Sequence, residues 1–124
     1  MDILKALEDT KAHLHGHFSL SSGLHSDQYF QCAKLLEHPR LAQQVGQELA
    51  ARFEGTGIDL VVSPALGGIL IGHEVAKALG VRFLFGERYG EERKLTLRRG
   101  FQVQPGEKIL LVEDVITTGG SVLE

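Results

Sequence analysis

The chain has 124 residues, 43% of them hydrophobic and 23% charged, with a formal net charge of −3; this is room for one domain with a buried core, and it argues against disorder. The acidic balance excludes a general attraction to nucleic acid or anionic membrane, and no apolar run approaches the roughly 20 residues of a spanning helix. One cysteine, and an N-terminus that opens straight into an amphipathic pattern with no signal peptide, point to a soluble protein of the reducing cytoplasm.

In chain order, Ile3, Leu4, Leu7 and Leu14 predict a first helix over 2–14, with Asp2 as its N-cap. The Ser-, Gly- and His-rich stretch HLHGHFSLSSGLHSDQYFQ then predicts a loop leading into a short strand near 29–33. Cys32 reads as a small buried hydrophobe rather than a nucleophile. Pro39 opens a helix whose Leu41, Val45, Leu49 and Phe53 recur at helical spacing, and EGTG ends it. The unalternating run at 58–62 predicts a strand covered on both faces. SPALGG is a turn, 69–79 a second helix closed by Gly80, and 81–85 another strand. GERYGEERKLTLRRGF is charged, mobile or hairpin-like; QPGE is a turn; 109–112 is a third buried strand. No repeat and no linker interrupts the chain.

This alternation is the grammar of an α/β fold with a parallel sheet and right-handed crossovers. Ligands bind such sheets at the carboxyl ends of the strands. Two glycine-rich loops, SPALGG and TTGGS, fall at such ends. Ahead of the second stand Glu113 and Asp114. Two adjacent carboxylates are costly to bury unpaired, but they accept hydrogen bonds from vicinal hydroxyls, or hold a divalent cation. Thr117, Thr118, Gly119, Gly120 and Ser121 follow, just before a predicted helix. Inward-turned N–H groups, hydroxyls and a helix dipole together make a phosphate cradle. Hydroxyl acceptors beside a phosphate cradle describe a sugar phosphate. The alternative is a plain strand-to-helix turn with an acid cap. Neither a G-x-G-x-x-G between strand and helix nor a G-x-x-x-x-G-K-[ST] is present.

The stretch ILLVEDVITTGGSV resembles the 5-phosphoribosyl-1-pyrophosphate (PRPP) signature of the type I phosphoribosyltransferases. Three further stretches are collinear with the orotate phosphoribosyltransferases of that family. FSLSSGLHSDQYF is similar to their N-terminal hood segment, SPALGGILIG to their pyrophosphate loop, and FGERYGEERKLTLRRGF to their flexible catalytic loop. The resemblance implies the family's fold, a mostly parallel sheet flanked by helices with a small N-terminal hood. It divides the chain into a hood at 1–38 and a PRPP-binding core at 39–124 within one structural domain, the family's C-terminal part lying beyond residue 124. It implies transfer of a phosphoribosyl group from PRPP to orotate, with Mg2+ carried by PRPP rather than by protein side chains, in a cytoplasmic homodimer.

By match, Glu113 and Asp114 take the ribose hydroxyls, while Val115, Ile116, Thr117, Thr118, Gly119, Gly120 and Ser121 surround the 5′-phosphate. Ala65, Leu66, Gly67 and Gly68 receive pyrophosphate oxygens. Arg88 and Lys94 join Asp114 as the catalytic candidates, and Tyr29, Phe30 and Thr117 line the base pocket, although two aromatics beside a strand suit a core equally. Some members carry lysines where this chain has Ser21 and Gly67. The resemblance leaves two other readings open, a purine phosphoribosyltransferase and a PRPP-binding regulator. Separately, His13, His15 and His17 have a spacing that admits zinc, though no acid or cysteine joins the pattern and Gly16 favours a loop.

Overall fold

The structure, a computed structural model, describes residues 2–19, 25–92 and 94–113, with 13–19 and 25–30 described by their backbone alone. The first helix, α1 (Ile3–Asp9), begins as expected, with Asp2 Oδ1 accepting from the Lys5 N–H at 3.1 Å. It ends well short of Leu14. The Thr10 amide and hydroxyl both donate to the Ala6 carbonyl, at 3.1 and 2.7 Å, and Lys11 turns into the left-handed region at φ 60°. That reversal stops the helix. It leads into β1 (His13–Ser19), which pairs antiparallel with β2 (His25–Phe30). The expected loop here is therefore largely a two-stranded sheet. A ladder of backbone bonds overrides the poor strand propensity of Ser, Gly and His.

The strand expected near 29–33 stops at Phe30, and a short helix, α2 (Ala33–Leu36), takes its place. One turn is too short to show periodicity, yet it buries Leu35 and Leu36. Cys32, at the head of that turn, is only half-buried against the core. The next helix, α3 (Pro39–Ala51), matches its signals: Pro39 sits in the first turn, where its missing N–H costs nothing, and Ala42, Val45, Gly46 and Ala50 form the buried stripe.

Next come β3 (Leu60–Pro64), α4 (Ile69–Leu79), β4 (Arg82–Tyr89), β5 (Lys94–Leu97) and β6 (Ile109–Leu111). Gly80 closes α4 at φ 74°, a left-handed position that glycine takes without a Cβ penalty. The sheet order is β5-β4-β3-β6, with β3 parallel to both neighbours and β5 added antiparallel. It is the expected α/β fold with a mostly parallel sheet. The charged stretch is the β4–β5 hairpin.

Val61 on β3 packs into one cluster with Ile71, Val75 and Ala76 of α4, Ala42, Val45 and Ala50 of α3, and Leu7, Ala12, Leu35 and Leu36 from the N-terminal segment. Helix α4 reaches both neighbours through missing side chains. A Cβ at Gly46 would stand 2.6 Å from the Glu74 Cβ, and one at Gly72 would overlap Ser63 Oγ and lie 2.6 Å from Phe83 Cε1.

Strand β6 corrects another expectation. Leu110 and Val112 pack against the core, but Ile109 is 41% and Leu111 52% exposed. Successive strand residues face opposite sides, and among the described residues α4 covers one side only, so an unbroken apolar run is here buried on one face.

Candidate phosphate and pyrophosphate site

Strands β3 and β6 are neighbours, with Val62 paired to Leu111 and the Val112 N–H donating to the Val62 carbonyl at 3.0 Å. Their carboxyl ends therefore bring two predicted segments side by side. From β3 comes the loop of Ala65, Leu66, Gly67 and Gly68; from β6 comes Glu113. Strand β4, on the other flank of β3, carries Arg88 and continues to Lys94 across the hairpin. Three of the segments that the sequence singled out thus share one edge of the sheet, where ligands of parallel sheets bind. Asp114, Val115, Ile116, Thr117, Thr118, Gly119, Gly120 and Ser121 lie outside the described residues.

The β3 loop is more selective than its sequence suggests. The Ala65 N–H already donates to the Gly86 carbonyl at 2.7 Å, and the Gly68 N–H to the Pro64 carbonyl at 3.1 Å. Among the described residues that leaves the Leu66 and Gly67 N–H groups as the loop's candidate donors for an anion. The Ala65–Leu66 peptide is cis, and the Leu66 side chain is 83% exposed at the tip. Neither feature has a signal in the sequence. A Cβ at Gly68 would stand 2.9 Å from the Pro64 carbonyl oxygen, so the tight turn into α4 demands glycine. Beneath the loop, Ser63 is fully buried, and its hydroxyl has no hydrogen-bond partner among the described residues.

On the hairpin, Arg88 pairs with Leu95, and Tyr89 with Lys94. Adjacent cross-strand pairs face opposite sides, so the two cationic candidates do not converge on one face of the ribbon. Lys94 stands 3.2 Å from Glu92, both side chains about three-quarters exposed, a pair that solvent and salt exchange freely. The two consecutive arginines are held differently. Arg98 stacks on the Tyr89 ring at 3.9 Å. Arg99 makes a two-pronged fork with Glu87, Nε to Oε2 at 2.8 Å and Nη2 to Oε1 at 2.9 Å, and its guanidinium lies 5.6 Å from the Phe85 ring centre.

The hydrogen bond from Arg99 holds the Glu87 carboxyl below its ordinary value of 4.5, and the same fork raises Arg99. A depressed folded value means that the pair's contribution is full above the ordinary carboxylate value and is lost as pH falls through the lowered one. Amide exchange in the hairpin, corrected for its intrinsic pH dependence, should therefore quicken below pH 4.5 in the native protein. Glu87→Gln should abolish that step; an unaltered step would assign the titration elsewhere.

Tyr29 and Phe30 end β2, opposite Leu14 and His13. The three histidines fall in β1 rather than in a loop, and a register shift between His15 and Phe18 takes His17 out of the alternation shared by His13 and His15. Among the described side chains no three His, Cys, Asp or Glu come close enough to hold a metal ion.

A family model for the phosphoribosyl transferase domain matches residues 31–124. The chain is 58% identical over 123 residues to an orotate phosphoribosyltransferase of Desulforamulus reducens, covering 99% of this chain and 63% of that protein. A second orotate phosphoribosyltransferase, from Pelotomaculum thermopropionicum, is 57% identical over 123 residues, with 99% of this chain and 64% of the relative covered. The chain thus spans a little under two thirds of the length of these relatives. Among solved structures, Leishmania donovani UMP synthase superposes with a TM-score of 0.82 at 20% identity, over 98% of this chain and 26% of that one. That similarity concerns the fold alone.

Proposed function

The chain belongs to the phosphoribosyl transferase domain family, and from that premise we propose that the protein transfers the 5-phosphoribosyl group of PRPP to orotate, giving orotidine 5′-monophosphate and pyrophosphate. The observation that carries this reading is the identity of 58% with an orotate phosphoribosyltransferase across 99% of the chain, hood segment and hairpin included. The substrate pair, the cytoplasmic setting, the homodimer and the division into a hood at 1–38 and a core at 39–124 all belong to the same proposal.

In this reading the protein's own groups position, shield and neutralise. Glu113 and Asp114 accept from the ribose 2′- and 3′-hydroxyls, orienting C1′ toward the base. Thr117 to Ser121 supply donors to the 5′-phosphate. The Leu66 and Gly67 amides, at the head of α4, receive oxygens of the departing pyrophosphate, where the helix dipole favours negative charge. Orotate N1 forms the new bond to C1′ as the bond from C1′ to the pyrophosphate oxygen breaks, and that electron pair leaves with pyrophosphate. Arg88 or Lys94 brings positive charge to the leaving group when the hairpin lies over the site, and Tyr29 and Phe30 border the base.

The donor set suits Mg2+ carried on substrate oxygens: Glu113 and Asp114 are hard oxygen donors at the ribose, and no cage of side chains is needed to hold an ion that keeps much of its water. Bound there, Mg2+ supplies charge neutralisation on the pyrophosphate.

The test is incubation of the protein with PRPP, Mg2+ and, separately, orotate, uracil, hypoxanthine, guanine and adenine. Nucleotide formed from orotate alone is the expected result. Nucleotide from a purine base would redirect the assignment to a purine enzyme, and PRPP binding without turnover on any base would favour a regulator.

A further inference from the structure

The hairpin's basic residues fall into two groups. Lys94 is paired with a solvent-exposed Glu92, whereas Arg99 is tied by two short hydrogen bonds to Glu87 and lies against Phe85, which in turn packs edge-on against Phe101 at 5.2 Å. Arg99 also adopts a left-handed backbone at φ 61°, directly before Gly100 at φ 75°. Two successive left-handed residues suit glycine or asparagine. An arginine is strained there, so the contacts of its side chain must outweigh the strain.

Those contacts join the two ends of one ribbon. Glu87 lies one residue past Gly86, whose carbonyl accepts the Ala65 N–H of the β3 loop. Arg99 lies just beyond the end of β5. The fork thus clamps the outgoing strand of the hairpin to the returning one, at the point where the ribbon leaves the sheet beside the anion-binding loop. Beyond the clamp stand Arg88 and Lys94.

We propose that Glu87 and Arg99 are a positioning pair: their fork fixes the root of the β4–β5 hairpin beside the Leu66–Gly67 amides, and so sets where Arg88 and Lys94 stand relative to the leaving pyrophosphate. This rests on the phosphoribosyl-transfer reading. Arg99 is on this account a tether rather than an anion ligand, although composition alone ranks it with the other lid cations. Tyr89, carrying Arg98 on its face, steadies the same ribbon one step further out.

The experiment compares the native protein with Glu87→Gln and Arg99→Lys. Glutamine keeps the shape but loses the charge; lysine keeps the charge but cannot form the fork. Both variants should lower kcat about tenfold while leaving the KM for PRPP within about twofold, because misplacement of a group acting on the leaving pyrophosphate costs turnover rather than ground-state binding. Both should also speed amide exchange at 94–97 at neutral pH, with exchange in α4 unchanged. Full activity in Arg99→Lys would overturn the fork and leave a simple charge effect. Faster exchange with native kcat would reduce the pair to a structural tie, and a raised KM for PRPP would make Arg99 a substrate ligand; either result overturns the proposal. A native protein that transfers no phosphoribosyl group to any base would instead overturn the reaction reading, and the positioning role with it. Unchanged exchange in an active enzyme defeats the pair alone.

Discussion

Asp114→Asn should bind PRPP, or turn it over, about a hundredfold less well, with its unfolding midpoint close to the native value. The substitution keeps the size of the side chain and removes only its charge. A charge-assisted hydrogen bond to a ribose hydroxyl contributes about 1.5–3 kcal/mol, and the carboxylate also offsets the positive charge that gathers at C1′ as pyrophosphate departs. Val112 is still bonded to Val62 of β3, so Glu113, the neighbour of Asp114 in sequence, follows at the carboxyl end of β6 beside the β3 loop. Titration with PRPP and Mg2+, followed by steady-state kinetics with orotate, reads both quantities. Unchanged PRPP affinity together with unchanged turnover would remove Asp114 from the site, leaving the doublet as an acid cap on a turn.

The second large effect is on stability. Gly72→Val should destabilise the protein by about 3 kcal/mol or more, and Gly72→Ala by up to about 2 kcal/mol. Alanine raises helix propensity by about 1 kcal/mol over glycine, so a free helix would gain from the change. Here the new Cβ meets Ser63 Oγ, and stands 2.9 Å from Ser63 Cβ and 2.6 Å from the Phe83 ring, with Ser63 itself fully buried. Overpacking of a tight core costs about 1–3 kcal/mol, which offsets or exceeds the propensity gain. Valine adds two methyls and gives up the propensity advantage.

Removing the hydroxyl should soften the clash. Ser63→Ala deletes a buried group without a hydrogen-bond partner among the described residues, so alone it should be neutral or slightly stabilising, and the double variant Ser63→Ala/Gly72→Ala should be less damaged than the two single changes sum to. Urea unfolding of the four proteins measures the coupling. A Gly72→Val protein as stable as the native one would mean that α4 does not rest on Ser63 and Phe83. Because α4 begins directly after the β3 loop, the same close approach bears on where the Leu66 and Gly67 amides lie relative to the sheet.

Much of the architecture is legible in the sequence. Helices α3 and α4 carry strong periodicity, with Pro39 at one start and Gly80 at one end, and the observed helices keep to those boundaries. The apolar runs at 58–62 and 81–85 mark β3 and the first half of β4, although β3 lies two residues later and β4 runs on through the charged Glu87 and Arg88 to Tyr89, and the placing of loops at the carboxyl ends follows from the α/β alternation. The early end of α1 follows from the local reversal at Lys11, while the β1–β2 pair and α2 depart from expectation for another reason. Their signals are long-range or too short to be periodic: strand pairing between 13–19 and 25–30 is a tertiary fact that local propensity opposes, and a one-turn helix is stabilised by the burial of Leu35 and Leu36.

The site divides along the same line. Residue chemistry follows from composition along the chain: adjacent carboxylates, a hydroxyl-rich glycine loop and a basic ribbon each have a physical meaning that needs no neighbour. Which amides are left to bind an anion, and which arginine is already committed, depends on partners far away in sequence. Ala65 gives its N–H to Gly86, and Arg99 gives its guanidinium to Glu87. A hydrogen bond is exclusive in a way that composition is not, so only the tertiary structure could separate the donors available to a substrate from those that hold the fold together.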